Sequence, residues 1–116
     1  MTESQIDLRQ EVQELFGTYR RLMPEIDATY DVMPAEVYKD GALSGKTKRL
    51  MALTGALVHG CRACILFQTE HALSRGASLE EIFEACAVAV SLGGTMAAGE
   101  TTRVIKLLQE KGLIEA

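Results

Sequence analysis

The chain has 116 residues and a mass of 12.6 kDa, enough for one domain spanning 1–116 with a core of its own and too little for two. A composition of 47% hydrophobic and 24% charged residues, with two prolines and no tryptophan, excludes disordered, collagen-like and disulfide-scaffold chains. The net charge of −4 leaves no electropositive footprint for phosphate contacts, so nucleic acid is not an expected partner.

Between residues 4 and 23 the apolar residues Ile6, Leu8, Val12, Leu15, Phe16, Tyr19 and Leu22 recur at threes and fours, which predicts an amphipathic helix capped by Ser4 or Thr2. Pro24 and Pro34 bound a short segment with Ile26, Tyr30 and Val32, and Pro34 suits the first turn of a further short helix reaching Tyr38. After the loop signals Asp40, Gly41, Ser44 and Gly45, the stretch 46–60 is apolar almost all round and expects burial on several sides. A helix over about 60–75 stops at Gly76. The next opens with Ser78 as N-cap and Glu81 three residues on, a capping box, and runs through small residues to Gly93 and Gly94. A last helix covers about 96–111, burying Val104, Ile105, Leu107 and Leu108, and ends at Gly112. No strand pattern competes, so the fold class is all-α, a bundle of about six helices.

The acid at Glu3, where an export signal needs basic residues, predicts a cytoplasmic chain. The longest mostly apolar stretch is read as 50–58, about half the ~20 residues that span a bilayer, so no membrane association is expected. Two helices with more apolar and small-residue surface than one small domain covers predict self-association.

Three cysteines are too few for a secreted disulfide framework, and two of them, Cys61 and Cys64, form a C-x-x-C pair just after Gly60. At i and i+3 both sulfurs share one helix face within disulfide reach. The first-turn N–H groups and the charge of Arg62 favour a thiolate, and Cys61, nearer the helix start, is the expected attacking thiol with Cys64 its partner. A low-pKa thiol beside a resolving thiol is what reversible peroxide or disulfide chemistry requires. Two other readings stay open: half of a zinc site completed across subunits by His59 or His71, and a pair of inert buried cysteines. Cys86, within a small apolar helix, reads as a packed core residue. Gln68 and His71 continue the stripe of Cys61 and Cys64, while His59 stands two residues before the pair. No cofactor or resident metal is expected.

Lys46, Thr47 and Lys48, the run Gly60-Cys61-Arg62-Ala63-Cys64-Ile65, then Ala72-Leu73, Gly76-Ala77, Glu80-Glu81-Ile82, Glu84-Ala85, Val88-Ala89 and Gly93-Gly94 together resemble the alkylhydroperoxidase D-like, carboxymuconolactone decarboxylase family over about 23–108. The resemblance implies an all-helical subunit and assembly as a homotrimer or homohexamer. Where C-x-x-C is present, it also implies thiol-dependent reduction of peroxides; with the reading of the pair itself, the expected substrate is a small hydroperoxide or disulfide, and the dithiol electron donor is not identified. The decarboxylase branch generally lacks the pair, so its presence favours redox chemistry over a lyase; a non-enzymatic redox sensor or ligand-binding oligomer is the alternative from another class. The peroxidase branch carries a glutamate twelve positions before the first cysteine and a histidine four after the second, as a proton relay. Here Arg49 and Gln68 stand at those positions, and neither shuttles a proton near neutral pH. In an oligomer a neighbouring subunit could supply the missing base, with Glu36, His59, His71 and Glu100 the available candidates.

Overall fold

The structure, a computed structural model, describes residues 2–116 and contains helices and turns with no strand among them. The helices are α1 (Gln5–Leu22), α2 (Pro24–Tyr30), α3 (Val32–Val37), α4 (Gly45–His59), α5 (Arg62–Ser74) and α6 (Leu79–Glu110). Three starts follow a serine cap legible in the sequence. Ser4 Oγ accepts the Asp7 N–H at 3.1 Å, Ser44 Oγ accepts the Thr47 N–H at 3.0 Å, and Ser78 with Glu81 forms the reciprocal capping box. The two helices predicted over 78–93 and 96–111 are joined into one long element. Gly94 interrupts it with φ 64° and ψ −144°, a backbone state open to glycine alone, so the predicted break survives as a sharp bend.

Helices α4, α5 and α6 form the core. Leu53, Leu57, Ile65, Ile82, Val104 and Leu108 are fully buried where they meet, with Ala56, Ala72, Cys86 and Ala89 filling the closer approaches. The small residues let the helix axes draw together, as their spacing in the sequence implies. Glu110 ties the chain start to the end of α6, accepting from Ser4 Oγ at 2.5 Å and from the Gln5 N–H at 2.6 Å. The Gln5 side chain is completely buried, which an uncharged amide tolerates because Arg103 donates to its oxygen and its own NH₂ reaches the Glu3 carbonyl.

Burial departs from the sequence expectation in two places. On α1 the stripe residues Leu15, Tyr19 and Leu22 are exposed, and α2 packs among the helices only against α1 and α3. On α4 and α6, Met51, Val88 and Leu92 are exposed around a groove of about 870 Å³ that also includes Leu50 and Val58. The single chain therefore leaves uncovered much of the apolar surface that periodicity assigned to the interior. A further correction concerns the apolar run itself. The helix that by length and composition could cross a membrane is α6, not 50–58, because valines and alanines on both sides of Gly94 extend one apolar run. In this fold α6 supplies Ile82, Cys86, Ala89, Val104, Leu107 and Leu108 to the protein interior.

Candidate functional site

The site is built on the corner between α4 and α5. Gly60 closes α4 in the left-handed conformation, φ 76° and ψ 25°, and its N–H and that of Cys61 both return to the Ala56 carbonyl. The chain reverses at once, and Cys61 becomes the N-cap of α5. Its Sγ accepts the Cys64 N–H at 3.3 Å, the position a serine oxygen takes at an ordinary cap. Cys61 and Cys64 are joined as a disulfide with their Cα atoms 5.3 Å apart.

The two sulfurs are not equivalent. Cys61 is half-buried at the cap, whereas Cys64 is exposed and opens into a groove of about 610 Å³ between α1, α2 and α5. Val12, Phe16, Tyr30 and Phe67 form its apolar walls, and Gln68 lies in it beside Cys64 on the next turn of α5. Phe16 and Tyr30 pack with ring centroids 5.0 Å apart, and the Arg20 guanidinium lies 5.2 Å from the Tyr30 ring centroid. Arg20 is held in turn by Asp27 and by Asp31 at 2.6 Å. The hydrogen bond to Asp31 and then that to Asp27 raise the Arg20 pKa.

Arg49 reaches across from α4 and donates from Nη1 to Gln68 Oε1 at 3.1 Å. Its guanidinium lies 3.6 Å from the Tyr38 ring centroid, a cation–π contact, and its Nε is buried without a hydrogen-bond partner. Burial, and then the charge of Arg75, lower its pKa against the opposing effect of Tyr38. Arginine has only donors, so the contact settles which end of the Gln68 amide faces it and turns the NH₂ the other way.

The remaining candidates are scattered. Arg62 lies 4.0 Å from Glu3, which also holds Arg103 at 3.2 Å, so the positive charge beside Cys61 is partly compensated. His59 lines the opposite groove, between α4 and α6. His71 is exposed near the far end of α5, outside the cysteine groove; desolvation and then Arg49 lower its pKa. Glu36 pairs with Lys39 at 2.6 Å and Glu100 with Arg103 at 3.0 Å. The stripe of Cys61, Cys64, Gln68 and His71 thus resolves into a capped sulfur, a groove-facing sulfur and amide, and an outlying imidazole. Among the described residues no three His, Cys, Asp or Glu side chains gather where they could hold a metal ion. Cys86 lies in the core, and burial pushes its thiol up to about 11. The groove walls on α1 and α2 were not foreseen, because their aromatic residues obey the same periodicity as core positions.

Residues 24–107 match the model of the carboxymuconolactone decarboxylase family. The chain is 32% identical over 94 residues to a protein of Paracoccus denitrificans called uncharacterized protein 4 in cox locus, covering 81% of this chain and 85% of that one. An uncharacterized protein of Cupriavidus necator is 30% identical over 84 residues, covering 72% and 74%. Among solved structures, the apo form of a carboxymuconolactone decarboxylase family protein from Legionella pneumophila superposes with a TM-score of 0.86 at 26% identity, covering 94% of this chain and 97% of that one. A Thermotoga maritima member of the family, described with a suggested part in antioxidative response, superposes with a TM-score of 0.67 at 27% identity, covering 89% and 98%. With the all-helical fold, the match over 24–107 and the likeness to solved members all in agreement, the chain belongs to the carboxymuconolactone decarboxylase family.

Proposed function

We propose that the protein is a cytoplasmic thiol-dependent oxidoreductase that reduces disulfides through the Cys61–Cys64 pair, working as a homo-oligomer. The observation that carries the reading is the pairing of Arg49 with Gln68 beside an exposed Cys64. In the reduced protein the Cys64 thiolate attacks one sulfur of a substrate disulfide, forming a mixed disulfide and releasing the first thiolate. Cys61 then attacks Cys64 Sγ, the Cys61–Cys64 bond forms, and the second thiolate leaves. The protein dithiol loses two electrons and the substrate gains them, after which an external dithiol restores the pair.

The choice of Cys64 as attacking thiol rests on access, since it opens into the groove while Cys61 is occupied as a cap. This reverses the order expected from nearness to the helix start. Cys61, accepting an N–H, is the better stabilised thiolate and so a good leaving group and resolving thiol. The choice of disulfide over peroxide rests on the leaving group. A thiol with a pKa of about 8.5 departs as thiolate without help, whereas an alkoxide or hydroxide, with a conjugate acid near water's value of about 15.7, needs a proton delivered to it. Arg49 and Gln68 are donors that do not give up protons near neutral pH, so they stabilise charge and leave peroxide cleavage without its acid.

Peroxide reduction is the second reading, favoured by the description of the Thermotoga maritima relative. The Cys64 thiolate would take the terminal oxygen as a sulfenic acid, and the departing alkoxide would need a proton from solvent. Steady-state assays decide between them: hydroxyethyl disulfide or a hydroperoxide is supplied with a dithiol reductant, and consumption is compared for the parent, Cys61→Ser and Cys64→Ser. Disulfide turnover lost in both variants is the expected result. Equal rates in parent and variants would overturn the redox-enzyme reading, and leave the pair as a sensor without turnover.

A further inference from the structure

Resting on that reading, we propose that the groove before Cys64 is a substrate-binding site selective for disulfides with an uncharged aromatic or similarly bulky apolar body, and that Tyr30 and the Arg20–Asp27–Asp31 cluster set this selectivity. A disulfide needs little room to meet an exposed sulfur, yet Cys64 opens into about 610 Å³ with walls from Val12, Phe16, Tyr30 and Phe67. The walls are aromatic on both sides: Phe67 stands on the helix of Cys64, and Phe16 with Tyr30 stands opposite on α1 and α2. Such faces reward a flat apolar group between them.

The charge at the groove works in the same direction. Arg20 is the cationic wall residue, and it is engaged by two carboxylates, Asp27 and Asp31 at 2.6 Å, so the cluster as a whole carries a net negative charge. Arg20, the cation among the groove-lining residues, is therefore not free to pair with an anionic substrate, while Arg49 stands behind Gln68, to which it donates. The cluster also holds α2 in place, because Arg20 on α1 grips both the middle of α2 and the residue after its end, while Tyr30 is held between the Arg20 guanidinium and Phe16. Since α2 packs among the helices only against α1 and α3, this cluster and the aromatic contact position the groove wall.

The test uses the reduced full-length chain with Cys61→Ser, so that a single attack by Cys64 is read as release of the leaving thiol. Three disulfides are compared: 4,4′-dipyridyl disulfide, aromatic and neutral; 5,5′-dithiobis(2-nitrobenzoate), aromatic and dianionic; and hydroxyethyl disulfide, small and neutral. Tyr30→Ala is expected to slow dipyridyl disulfide about threefold to tenfold more than it slows hydroxyethyl disulfide. Asp27→Asn with Asp31→Asn frees the Arg20 charge, and is expected to raise the dianion's rate relative to dipyridyl disulfide severalfold at low salt, with the gain fading as salt screens it. Iodoacetamide alkylation of Cys64, held constant across the variants, reports that the fold and the thiol are intact. Rate ratios that stay constant across the three disulfides in both variants would overturn the proposal. So would parallel losses with all three probes together with slowed alkylation, since the variants would then act by loosening the subunit. These single-turnover rates do not depend on catalytic turnover, so failure of the oxidoreductase reading and failure of the groove proposal are read separately.

Discussion

Arg49 Nη1 donates to Gln68 Oε1 at 3.1 Å, joining α4 to α5 one turn past Cys64. These are the two positions at which the resemblance expects a glutamate and a histidine, and the tertiary structure brings them into direct contact. Replacing both, Arg49→Glu with Gln68→His, should install a titratable pair where a fixed-donor pair now stands. Hydroperoxide consumption should rise at least tenfold, general acid–base catalysis supplying up to about 10²–10⁴, and acquire a pH dependence. Hydroxyethyl disulfide reduction should change far less. A flat response to peroxide would show that proton delivery is not what limits this site.

Thiol acidity should differ between the two cysteines. In Cys64→Ser protein the remaining Cys61 keeps its place at the start of α5, where the helix N–H groups and dipole favour a thiolate. Its alkylation rate against pH should show a midpoint below the unperturbed value of about 8.5. A midpoint at or above that value would mean that burial, together with the partial compensation of Arg62 by Glu3, outweighs the cap.

Cys86 should be silent in the folded protein. Burial holds its thiol near 11 and keeps reagent away from it. Reduced native protein at pH 8 should therefore take up two equivalents of iodoacetamide quickly, with the third modified only in denaturant. Rapid native modification of all three would show that α6 opens on the timescale of labelling.

Acid should loosen the tie between the chain start and the end of α6. Burial alone would raise the Glu110 pKa, but the hydrogen bonds from Ser4, Gln5 and Ile6 and the charge of Lys106 outweigh it and lower the pKa. A carboxyl with a depressed folded pKa contributes stability that is full above its unfolded value and is lost as pH falls through the folded one. The melting temperature should therefore fall as pH drops from about 5 toward 3, and Glu110→Gln should be less stable at pH 7 and show a shallower fall. An identical acid profile for parent and variant would remove Glu110 from the acid transition.

Assembly should cover the apolar groove of α4 and α6. With Met51, Val88 and Leu92 exposed around it, light scattering at micromolar concentration should give a trimer or hexamer, and Val88→Glu with Leu92→Lys should reduce the mass toward 12.6 kDa. A parent that already scatters as a single 12.6 kDa chain would overturn the assembly and the burial argument behind it.

The sequence by itself determined the local structure. Ser4 and Ser78 cap helices because a side-chain oxygen there meets a free N–H a few residues on, while Gly60 ends one in a left-handed state that favours glycine and Gly94 breaks another in a state open to glycine alone. The same short-range logic reached the cysteine pair, whose proximity follows from helical spacing alone. Which sulfur meets a substrate was decided only by tertiary packing, since Cys61 and Cys64 share one helix start and differ in what α1 and α2 leave open in front of them. The groove walls were illegible for the same reason. An aromatic residue at Phe16 or Tyr30 follows the period of its helix whether it enters a core or lines a cavity, and only the neighbouring helices distinguish the two. Periodicity likewise marked Leu15, Val88 and Leu92 as apolar without saying whether their cover comes from the same chain, because the hydrophobic effect is non-directional and has no preference for the source of the surface that excludes water.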